Sequence, residues 1–300
     1  MLKSPCIPLL TLMAFFLISC GGGSSGIGRA SAQRVAIVVL ENQDYGSVVG
    51  SSAMPFLNSL IQKGSLATQF FANLHPSIGN YFLMTTGQVV TTDDSFNGSF
   101  SGDNVTLSLD AAGKTWKVYA QSLPSTGYVG GDQYPFIQHH EPFGYFENVR
   151  DDPSQRNNIV PIGQLATDTN QNTLPDYSFI VPDNLHNGHD CPTGGLACPL
   201  ADRLSTIDAW LQSNIGPLLA GSGFANNAVL VITFDESASD NTFGGGRIAT
   251  VLAGGAVKSG FQSTTMYQFP SLLRFSLKVL GVTAYPGEAS QAPDMDEFLK

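Results

Sequence analysis

The stretch VAIVVLEN, Val35–Asn42, decides the fold. Its first six residues are apolar and mostly β-branched, which is typical of a strand buried on both faces in a parallel sheet. The run ends directly in Glu41 and Asn42. Polar side chains at the carboxyl end of a central strand lie where open α/β sheets bind their ligands. The stretch therefore predicts an α/β fold with a functional site beside Glu41 and Asn42.

A second apolar run, Ala228–Phe234, has the same character and also ends in two acids, Asp235 and Glu236. If the two strands are close together, these acids meet Glu41 and Asn42 at one edge of the sheet. Carboxylate and amide oxygens suit a hard divalent cation such as Mg²⁺, Ca²⁺ or Mn²⁺, and Zn²⁺ is a further candidate. Solvated strand ends or helix caps explain either pair alone equally well. The two pairs together predict a cation site.

Signals for strands and helices alternate along the rest of the chain, which predicts a three-layer α/β sandwich with a mostly parallel central sheet. The predicted helices are Pro55–Gly64, Ile78–Thr86, Leu200–Leu219 with a candidate break at Gly216-Pro217, and Phe269–Leu280. Further strands are predicted at Trp116–Ala120, Asp176–Val181 and Ile248–Ala253. Long irregular segments are predicted at Thr91–Ser108 and Gly127–Phe146.

Ser77 lies in LHPSIGNY, Leu74–Tyr81, where a loop turns into the predicted helix Ile78–Thr86. Free backbone N–H groups and the positive end of the helix dipole favour an anion such as phosphate at this position. Asn80 lies one turn further on, on the same side of the helix. An isolated Ser-x-x-Asn is better explained as an ordinary N-cap with a surface asparagine. The acids at the strand ends favour Ser77 as a nucleophile instead.

The histidines of the chain are confined to three segments that are predicted to be irregular and polar. They are His75, His139, His140, His186 and His189. A lone histidine is more often a surface or core residue than a catalyst, but five histidines gathered in loops are harder to explain in that way. Near neutral pH, histidine can stabilise a phosphoryl transition state or protonate a leaving alkoxide.

The composition limits the class of protein. The chain has 300 residues, of which 42% are hydrophobic and 13% are charged. This balance is typical of a packed globule with one large α/β domain or two smaller ones. The formal net charge is −10, and no cluster of Lys and Arg offsets it. The charge therefore argues against a nucleic-acid partner.

The N-terminus has the pattern of an export signal. Lys3 precedes an apolar core, Ile7–Ile18, which is too short for a comfortable membrane span and is followed by small residues. Leu17–Cys20 (LISC) resembles the lipobox of bacterial lipoproteins, which implies a lipidated Cys20 and a membrane anchor in the bacterial cell envelope. A plain signal peptide with an incidental cysteine is the alternative. We expect a signal peptide at 1–20, a flexible tether at 21–33 and the folded domain at 34–300.

Cys191 and Cys198 are the two cysteines that follow Cys20 in the chain. Export to an oxidising compartment would let them pair across a short loop. A metal-binding pair is the weaker interpretation, because the spacing is too wide for a zinc knuckle. We therefore expect a disulfide in the loop that follows His189.

Several short pieces of sequence occur in a fixed order between about Val35 and Gly281. They are Glu41-Asn42, His75-Pro76-Ser77 with Asn80-Tyr81, His140 with Pro142, His189-Asp190, Asp235-Glu236 and Gly245-Gly246-Arg247. This order resembles the phosphoesterase family that contains bacterial acid phosphatases and phospholipases C, a branch of the alkaline phosphatase superfamily. The resemblance implies an alkaline-phosphatase-like fold and the hydrolysis of phosphoesters.

The resemblance also implies a role for each site residue. Ser77 would displace the leaving group in line and form a phosphoserine that water then hydrolyses. The implied metal ligands are Glu41, Asn42, Asp235 and Glu236. His140 and His189 would line the phosphate pocket as catalytic residues, and His75, Asn80 and His139 are expected to bind substrate. Asn187 and Phe269 stand where many relatives carry an acid and a histidine, so one cation is favoured over two.

Other functions fit the sequence less well. A sulfatase needs a modifiable cysteine in a C-x-P-x-R setting, and neither Cys191 nor Cys198 has it. A carboxylic-ester hydrolase would carry a G-x-S-x-G elbow in its folded domain, and residues 34–300 have none. A phospholipase C-type phosphodiesterase and a non-catalytic surface lipoprotein that binds a metal or phosphate remain open. A small phosphoester substrate is favoured over a phospholipid, and the oligomeric state is left open.

We predict that Cys20 is the mature N-terminus and carries lipid, because LISC precedes a Gly- and Ser-rich segment. Intact-mass spectrometry of the protein extracted from membranes should show a chain that begins at Cys20 with added acyl mass. A Cys20→Ala variant should remain unprocessed or be released from the membrane. An unmodified N-terminus at another residue would contradict the prediction.

Overall fold

A mixed sheet lies at the centre of the part of the chain that the computed structural model describes, residues 1–2, 33–194 and 197–300. Within these residues the sheet has eight strands: β1 (Arg34–Leu40), β2 (Ser65–Phe70), β3 (Trp116–Ala120), β4 (Ile159–Pro161), β5 (Tyr177–Val181), β6 (Ala228–Phe234), β7 (Thr250–Ala253) and β8 (Phe261–Tyr267). Their order is β4-β3-β5-β1-β6-β7-β2-β8. Cys20, and the signal peptide and tether apart from positions 1–2 and 33, lie outside the described residues.

Most neighbouring strands of the sheet are parallel. β1 pairs in parallel with β5 and β6, and the β3–β4, β3–β5 and β2–β8 pairs are parallel as well. β7 is the exception, because it runs antiparallel to both β6 and β2. The predicted α/β class and the mostly parallel sheet are therefore confirmed.

Helices cover the sheet in two groups. The described helices are α1 (Tyr45–Val48), α2 (Pro55–Lys63), α3 (Ser77–Thr86), α4 (Val105–Ala111), α5 (Glu147–Arg150), α6 (Pro153–Arg156), α7 (Gly163–Gln171), α8 (Leu200–Ala220), α9 (Ser222–Ala225) and α10 (Phe269–Val279). Helices α2, α7 and α9 each pack on α8, whereas α3 and α4 pack on α10. The predicted three-layer sandwich is thus present. Within the described residues, no helix combines the length and apolar character needed to cross a bilayer.

The two acid-ending strands are direct neighbours. β1 and β6 run parallel in register as far as Leu40 and Phe234, and the Asp235 N–H donates to the Leu40 carbonyl at 2.8 Å. Val35–Leu40 and all of β6 are buried, as expected for central strands covered on both faces. The carboxyl ends of both strands therefore reach the same edge of the sheet.

Two sequence-based boundaries were wrong. Thr91–Ser108 was predicted to be irregular throughout, but α4 begins at Val105, and the Asn104 side chain accepts from the N–H groups of Thr106 and Leu107. This is ordinary N-capping by asparagine. Helix α8 does not break at Pro217. Pro217 is exposed near the helix end, so the carbonyl that loses its N–H partner can be solvated. The sequence also gave no prediction for β4, α7 or β8.

Helix α2 is capped by a different helix. Its own N-cap, Met54, makes no side-chain hydrogen bond. Asp208 of α8 instead accepts from the N–H of Phe56 at 2.9 Å and from that of Leu57 at 2.8 Å. A carboxylate at a helix N-terminus satisfies unpaired N–H groups and interacts favourably with the helix dipole. Asp208 therefore locks α2 to α8.

We predict that Asp208→Ala lowers the free energy of unfolding by about 1–2 kcal/mol, the usual cost of losing an N-cap. Asp208→Asn keeps an oxygen acceptor and should lose less. Chemical denaturation followed by circular dichroism measures both variants against the parent chain. An Asp208→Ala variant as stable as the parent would show that this cap does not stabilise the fold.

Candidate active site

The site begins at the ends of β1 and β6. Glu41 and Asp235 follow these strands directly, and both side chains are fully buried. Asn42 links them, because its backbone N–H donates to Oδ1 of Asp235 at 3.0 Å and its amide donates to Oε2 of Glu41 at 3.0 Å. Asn42 has a φ of 52°, a left-handed conformation that asparagine adopts more readily than most residues. The turn after β1 thus holds both carboxylates in place.

Ser77 reaches this pair from the start of α3. Its side chain is almost buried, at 5% exposure, and Oγ donates to Oε2 of Glu41 at 3.3 Å. The predicted nucleophile and the two most deeply buried predicted metal ligands therefore lie together. The sequence placed Ser77 at a helix start, and α3 does begin there.

Tyr81 is a site residue to which the sequence analysis gave no role. Its hydroxyl donates to Oε1 of Glu41 at 2.5 Å, and its ring stacks on that of His140 with centroids 5.3 Å apart. A signal was available, because Tyr81 lies four residues after Ser77 on the same helix face. Nε2 of His140 lies 3.3 Å from Oε1 of Glu41 without a hydrogen bond. Tyr81 therefore positions both Glu41 and His140.

Glu236, the fourth predicted metal ligand, contacts a different set of side chains from Glu41. Its Oε2 is 3.0 Å from Nδ1 of His75 and 3.5 Å from the Asn80 amide nitrogen. Asn80 is fully buried, and its side chain bonds the backbone of Asn73 and Leu74. Asn80 thus holds the loop before Ser77, and its predicted role in substrate binding stays a prediction.

His139, which was predicted to bind substrate, lies beside the predicted catalytic histidines His140 and His189. The His139 ring meets that of His140 edge-on, with centroids 4.4 Å apart, and the His140 and His189 centroids are 6.3 Å apart. Nδ1 of His189 bonds Asp190 at 2.7 Å, and the His189 side chain is 41% exposed. Asn187 accepts from the His189 N–H at 2.9 Å, so it serves the turn that carries His189.

His186 belongs to a different contact set. Its Nδ1 lies 2.6 Å from Oδ1 of Asp183 and 3.0 Å from the Gln121 amide nitrogen. It is therefore separate from the hydrogen bonds that join Ser77, Glu41 and Asp235.

Burial and like charge dominate the electrostatics of the acids. Burial, and then the charge of Asp235, raise the pKa of Glu41 well above its usual value. Burial also raises the pKa of Asp235. Burial and the charge of Asp235 raise the pKa of Glu236 to about 8, although the hydrogen bond from His75 acts in the opposite direction. The acids are thus held in an environment that disfavours their negative charge.

The pKa values of the two more buried histidines, His139 and His140, are both lowered, which favours their neutral forms. Burial lowers the pKa of His140 well below its usual value, and His139 and His189 add to the effect. Burial likewise lowers the pKa of His139. Two imidazoles that favour the neutral form therefore lie beside the buried acids.

The donor chemistry fits a divalent cation. Oδ2 of Asp235 is buried without a hydrogen-bond partner, and oxygen donors of this kind suit a hard cation. As the side chains lie, however, the described residues include no group of three or more His, Cys, Asp or Glu side chains that could hold a metal ion. Glu236 bonds His75 instead. The four-ligand site therefore stays a prediction.

A disulfide joins Cys191 to Cys198, with their Cα atoms 5.8 Å apart. This separation is within the range that a disulfide requires. The bridge begins one residue after Asp190, the partner of His189. It therefore closes the loop that follows the exposed catalytic candidate.

Asp94 is a second site residue that sequence reasoning missed. Its Oδ1 accepts from the backbone N–H of Ile78 at 3.1 Å, directly after Ser77. Asp94 lies in the loop after α3, sixteen residues beyond Ile78. A contact of that separation leaves no periodic signal in the sequence.

Relatives of known class match most of the chain. The chain is 28% identical over 294 residues to a phosphatidylinositol-3-phosphatase of Mycobacterium tuberculosis, a match that covers 96% of this chain and 91% of the relative. It is 28% identical over 262 residues to an acid phosphatase of Aspergillus fumigatus, with 83% of this chain and 55% of the relative covered. A probable acid phosphatase of Kluyveromyces lactis is 26% identical over 250 residues, with 80% and 55% covered. The match thus spans about half the length of the two fungal proteins.

Solved structures share the fold at low sequence identity. A protein of the alkaline phosphatase superfamily from Vibrio parahaemolyticus matches with a TM-score of 0.63 and 14% identity, over 90% of this chain and 72% of that chain. A lipoteichoic acid synthase from Listeria monocytogenes matches with a TM-score of 0.61 and 13% identity, over 86% and 74%. These similarities show the alkaline-phosphatase-like fold.

The family match covers most of the domain. The model of the Phosphoesterase family matches residues 47–282, so that it starts after Glu41 and Asn42 and includes Ser77 and Asp235. The resemblance seen in the sequence is confirmed, with a later start than the predicted Val35. This chain belongs to the Phosphoesterase family and is a hydrolase of phosphoric ester bonds.

Proposed function

We propose that the chain hydrolyses small phosphoesters with Ser77 as its nucleophile, through a phosphoserine intermediate and with one divalent cation. The observation that carries the proposal is the 3.3 Å contact between Ser77 Oγ and Glu41. A nearly buried hydroxyl at the helix start thus contacts a carboxylate that follows a central strand. An ordinary N-cap serine would bond the backbone of its own helix instead.

The cation would be held by Glu41, Asn42, Asp235 and Glu236. The unpartnered Oδ2 of Asp235 supports this assignment, as do the raised pKa values of the two fully buried acids, Glu41 and Asp235. When bound, a divalent ion would lower the pKa of the Ser77 hydroxyl and polarise a phosphoryl oxygen. Mg²⁺, Ca²⁺, Mn²⁺ and Zn²⁺ remain candidates.

The chemistry of the side chains follows from their contacts. Ser77 Oγ gives its proton to the Glu41 carboxylate, to which it donates at 3.3 Å, and forms the bond to phosphorus as the bond to the leaving alkoxide breaks. His189 gives that alkoxide a proton from Nε2, because Nδ1 is bonded to Asp190 at 2.7 Å. Water then attacks the phosphoserine and gives a proton back to His189, while Ser77 Oγ regains its proton from Glu41 as phosphate leaves. His140 and His139 line the phosphate pocket as neutral imidazoles.

We favour a small phosphomonoester as substrate. The support is the name acid phosphatase, which two of the described relatives carry. The name phosphatidylinositol-3-phosphatase keeps a phospholipid headgroup as the second candidate, and a phospholipase C-type diester remains the alternative. Export and a lipid anchor at Cys20 complete the proposal, on the sequence pattern alone. Assays of purified mature protein with monoesters, diesters and phosphatidylcholine separate these substrates.

The nucleophile and the cation can be tested separately. Ser77→Ala should lower turnover by about 10³-fold or more, because the attacking oxygen is lost. It should leave the metal content nearly unchanged, since carboxylates supply most of the ligands. Asp235→Ala should lose both metal and activity. Elemental analysis of purified protein measures metal content beside steady-state rates.

Ser205→Ala is the matched control, because Ser205 lies exposed on α8 and bonds the Asp202 carbonyl. It should behave as the parent chain does. Full activity in the Ser77→Ala variant would refute the serine mechanism and favour a different catalyst. A parent chain that binds metal but hydrolyses none of these esters would show that its substrate is a different phosphoester.

The residue that protonates the leaving group can be identified by comparing variants of two histidines from the same loop. His189→Ala should slow esters of poor leaving groups more than esters of good ones, because only poor leaving groups need the proton. His186→Ala is the matched control. His186 is also paired with an aspartate, but it is separate from the hydrogen bonds that join Ser77, Glu41 and Asp235. Equal slowing across a series of aryl and alkyl phosphates would exclude His189 as the general acid.

A further inference from the structure

The start of the nucleophile helix already holds an anion from the chain itself. Pro76, the N-cap of α3, makes no side-chain hydrogen bond to the helix. Asp94 takes that place, and its Oδ1 accepts from the Ile78 N–H at 3.1 Å. The sequence predicted that this helix start would attract phosphate. The structure instead places a carboxylate against the peptide group that follows Ser77.

The charge of Asp94 lies close to the other site residues. Burial is the largest influence on the pKa of Glu236, which it raises, and on the pKa of His139, which it lowers, and the charge of Asp94 acts to raise both. In the described part of the chain, no lysine, arginine or histidine forms an ion pair with Asp94. Asp94 and Arg150 both line a cavity of about 410 Å³. The Arg150 guanidinium, however, pairs with Asp151 at 2.8 Å. Asp94 thus contributes a negative charge without a paired cation beside the reacting group.

We propose that Asp94 is a specificity-determining residue, which disfavours doubly charged phosphoryl groups at Ser77 and so selects phosphoesters that carry one negative charge. This proposal rests on Ser77 as the nucleophile. The phosphorus that Ser77 attacks must lie about 3–3.5 Å from Oγ, which is next to the peptide group that Asp94 binds. A monoester has one negative charge below its second pKa of about 6 and two above it, whereas a diester has one charge at either pH. Asp94 repels the additional charge.

Repulsion of one additional charge across several ångströms in a partly buried site corresponds to about a tenfold change in rate. The charge can be removed while the hydrogen bond stays. Asp94→Asn keeps an oxygen acceptor for the Ile78 N–H but is neutral. Asp94→Ala loses both the acceptor and the charge. The pair of variants therefore separates electrostatic selection from positioning of the helix.

The experiment compares 4-nitrophenyl phosphate with bis(4-nitrophenyl) phosphate at about pH 8, where the monoester is doubly charged. In Asp94→Asn, kcat/KM for the monoester should rise about tenfold relative to the diester. Binding of inorganic phosphate, measured by calorimetry, should tighten by a similar factor. Asp93→Asn is the matched control, because Asp93 is exposed and its side chain bonds Ser95. It should leave both quantities unchanged.

Two results would overturn the proposal. In the first, Asp94→Asn changes neither the monoester-to-diester ratio of kcat/KM nor the affinity for inorganic phosphate by more than twofold relative to the parent chain. The other is a change in Asp94→Ala without a change in Asp94→Asn, which would assign Asp94 to the hydrogen bond alone. Asp94→Ser is a second neutral acceptor if Asp94→Asn does not fold. Phosphate binding needs no turnover, so it tests Asp94 even if the serine mechanism fails.

Discussion

The parallel pairing of β1 with β6 is the constraint on which the rest of the site depends. It brings Glu41 and Asp235 side by side at full burial, and each burial costs several kcal/mol without a counter-ion. The strands behind them offset this cost. Val35–Leu40 are all buried apolar residues, and each large one contributes about 1.5–3 kcal/mol. The burial of these apolar strand residues therefore offsets the free-energy cost of burying the two acids.

The groups that bond these acids are neutral. Glu41 accepts from Ser77, Tyr81 and Asn42. Asp235 accepts from the backbone N–H groups of Asn42 and Glu236 at Oδ1. Neutral donors fix the direction of a carboxylate without cancelling its charge. Burial raises the pKa values of Glu41 and Asp235, and the hydrogen bonds from Tyr81 to Glu41 and from the Asn42 and Glu236 N–H groups to Asp235 act in the opposite direction.

Much of this arrangement could be predicted from the sequence, because it depends on local pattern. The β-branched runs before Glu41 and Asp235 predicted buried parallel strands, and a serine at a helix start predicted the place of Ser77. Asp94 and Asp208 could not be predicted, since each caps a helix remote from it in the chain. The edge strand β8 was missed for another reason. Most of its residues are half-buried or exposed, so it has no apolar run to reveal it.

The two parts of the site differ in how they are held. Glu41 and Asp235 are fixed by the register of the sheet, so a change there disturbs the core. Asp94, which bonds the residue after Ser77, and His139, which contacts His140, lie in two separate segments, 91–104 and 127–146, which can change with little effect on β1 and β6. Burial fixes the carboxylates, whereas loop sequence decides which charges meet the substrate. We therefore expect the strand ends to set the reaction and the loops to set the choice of ester.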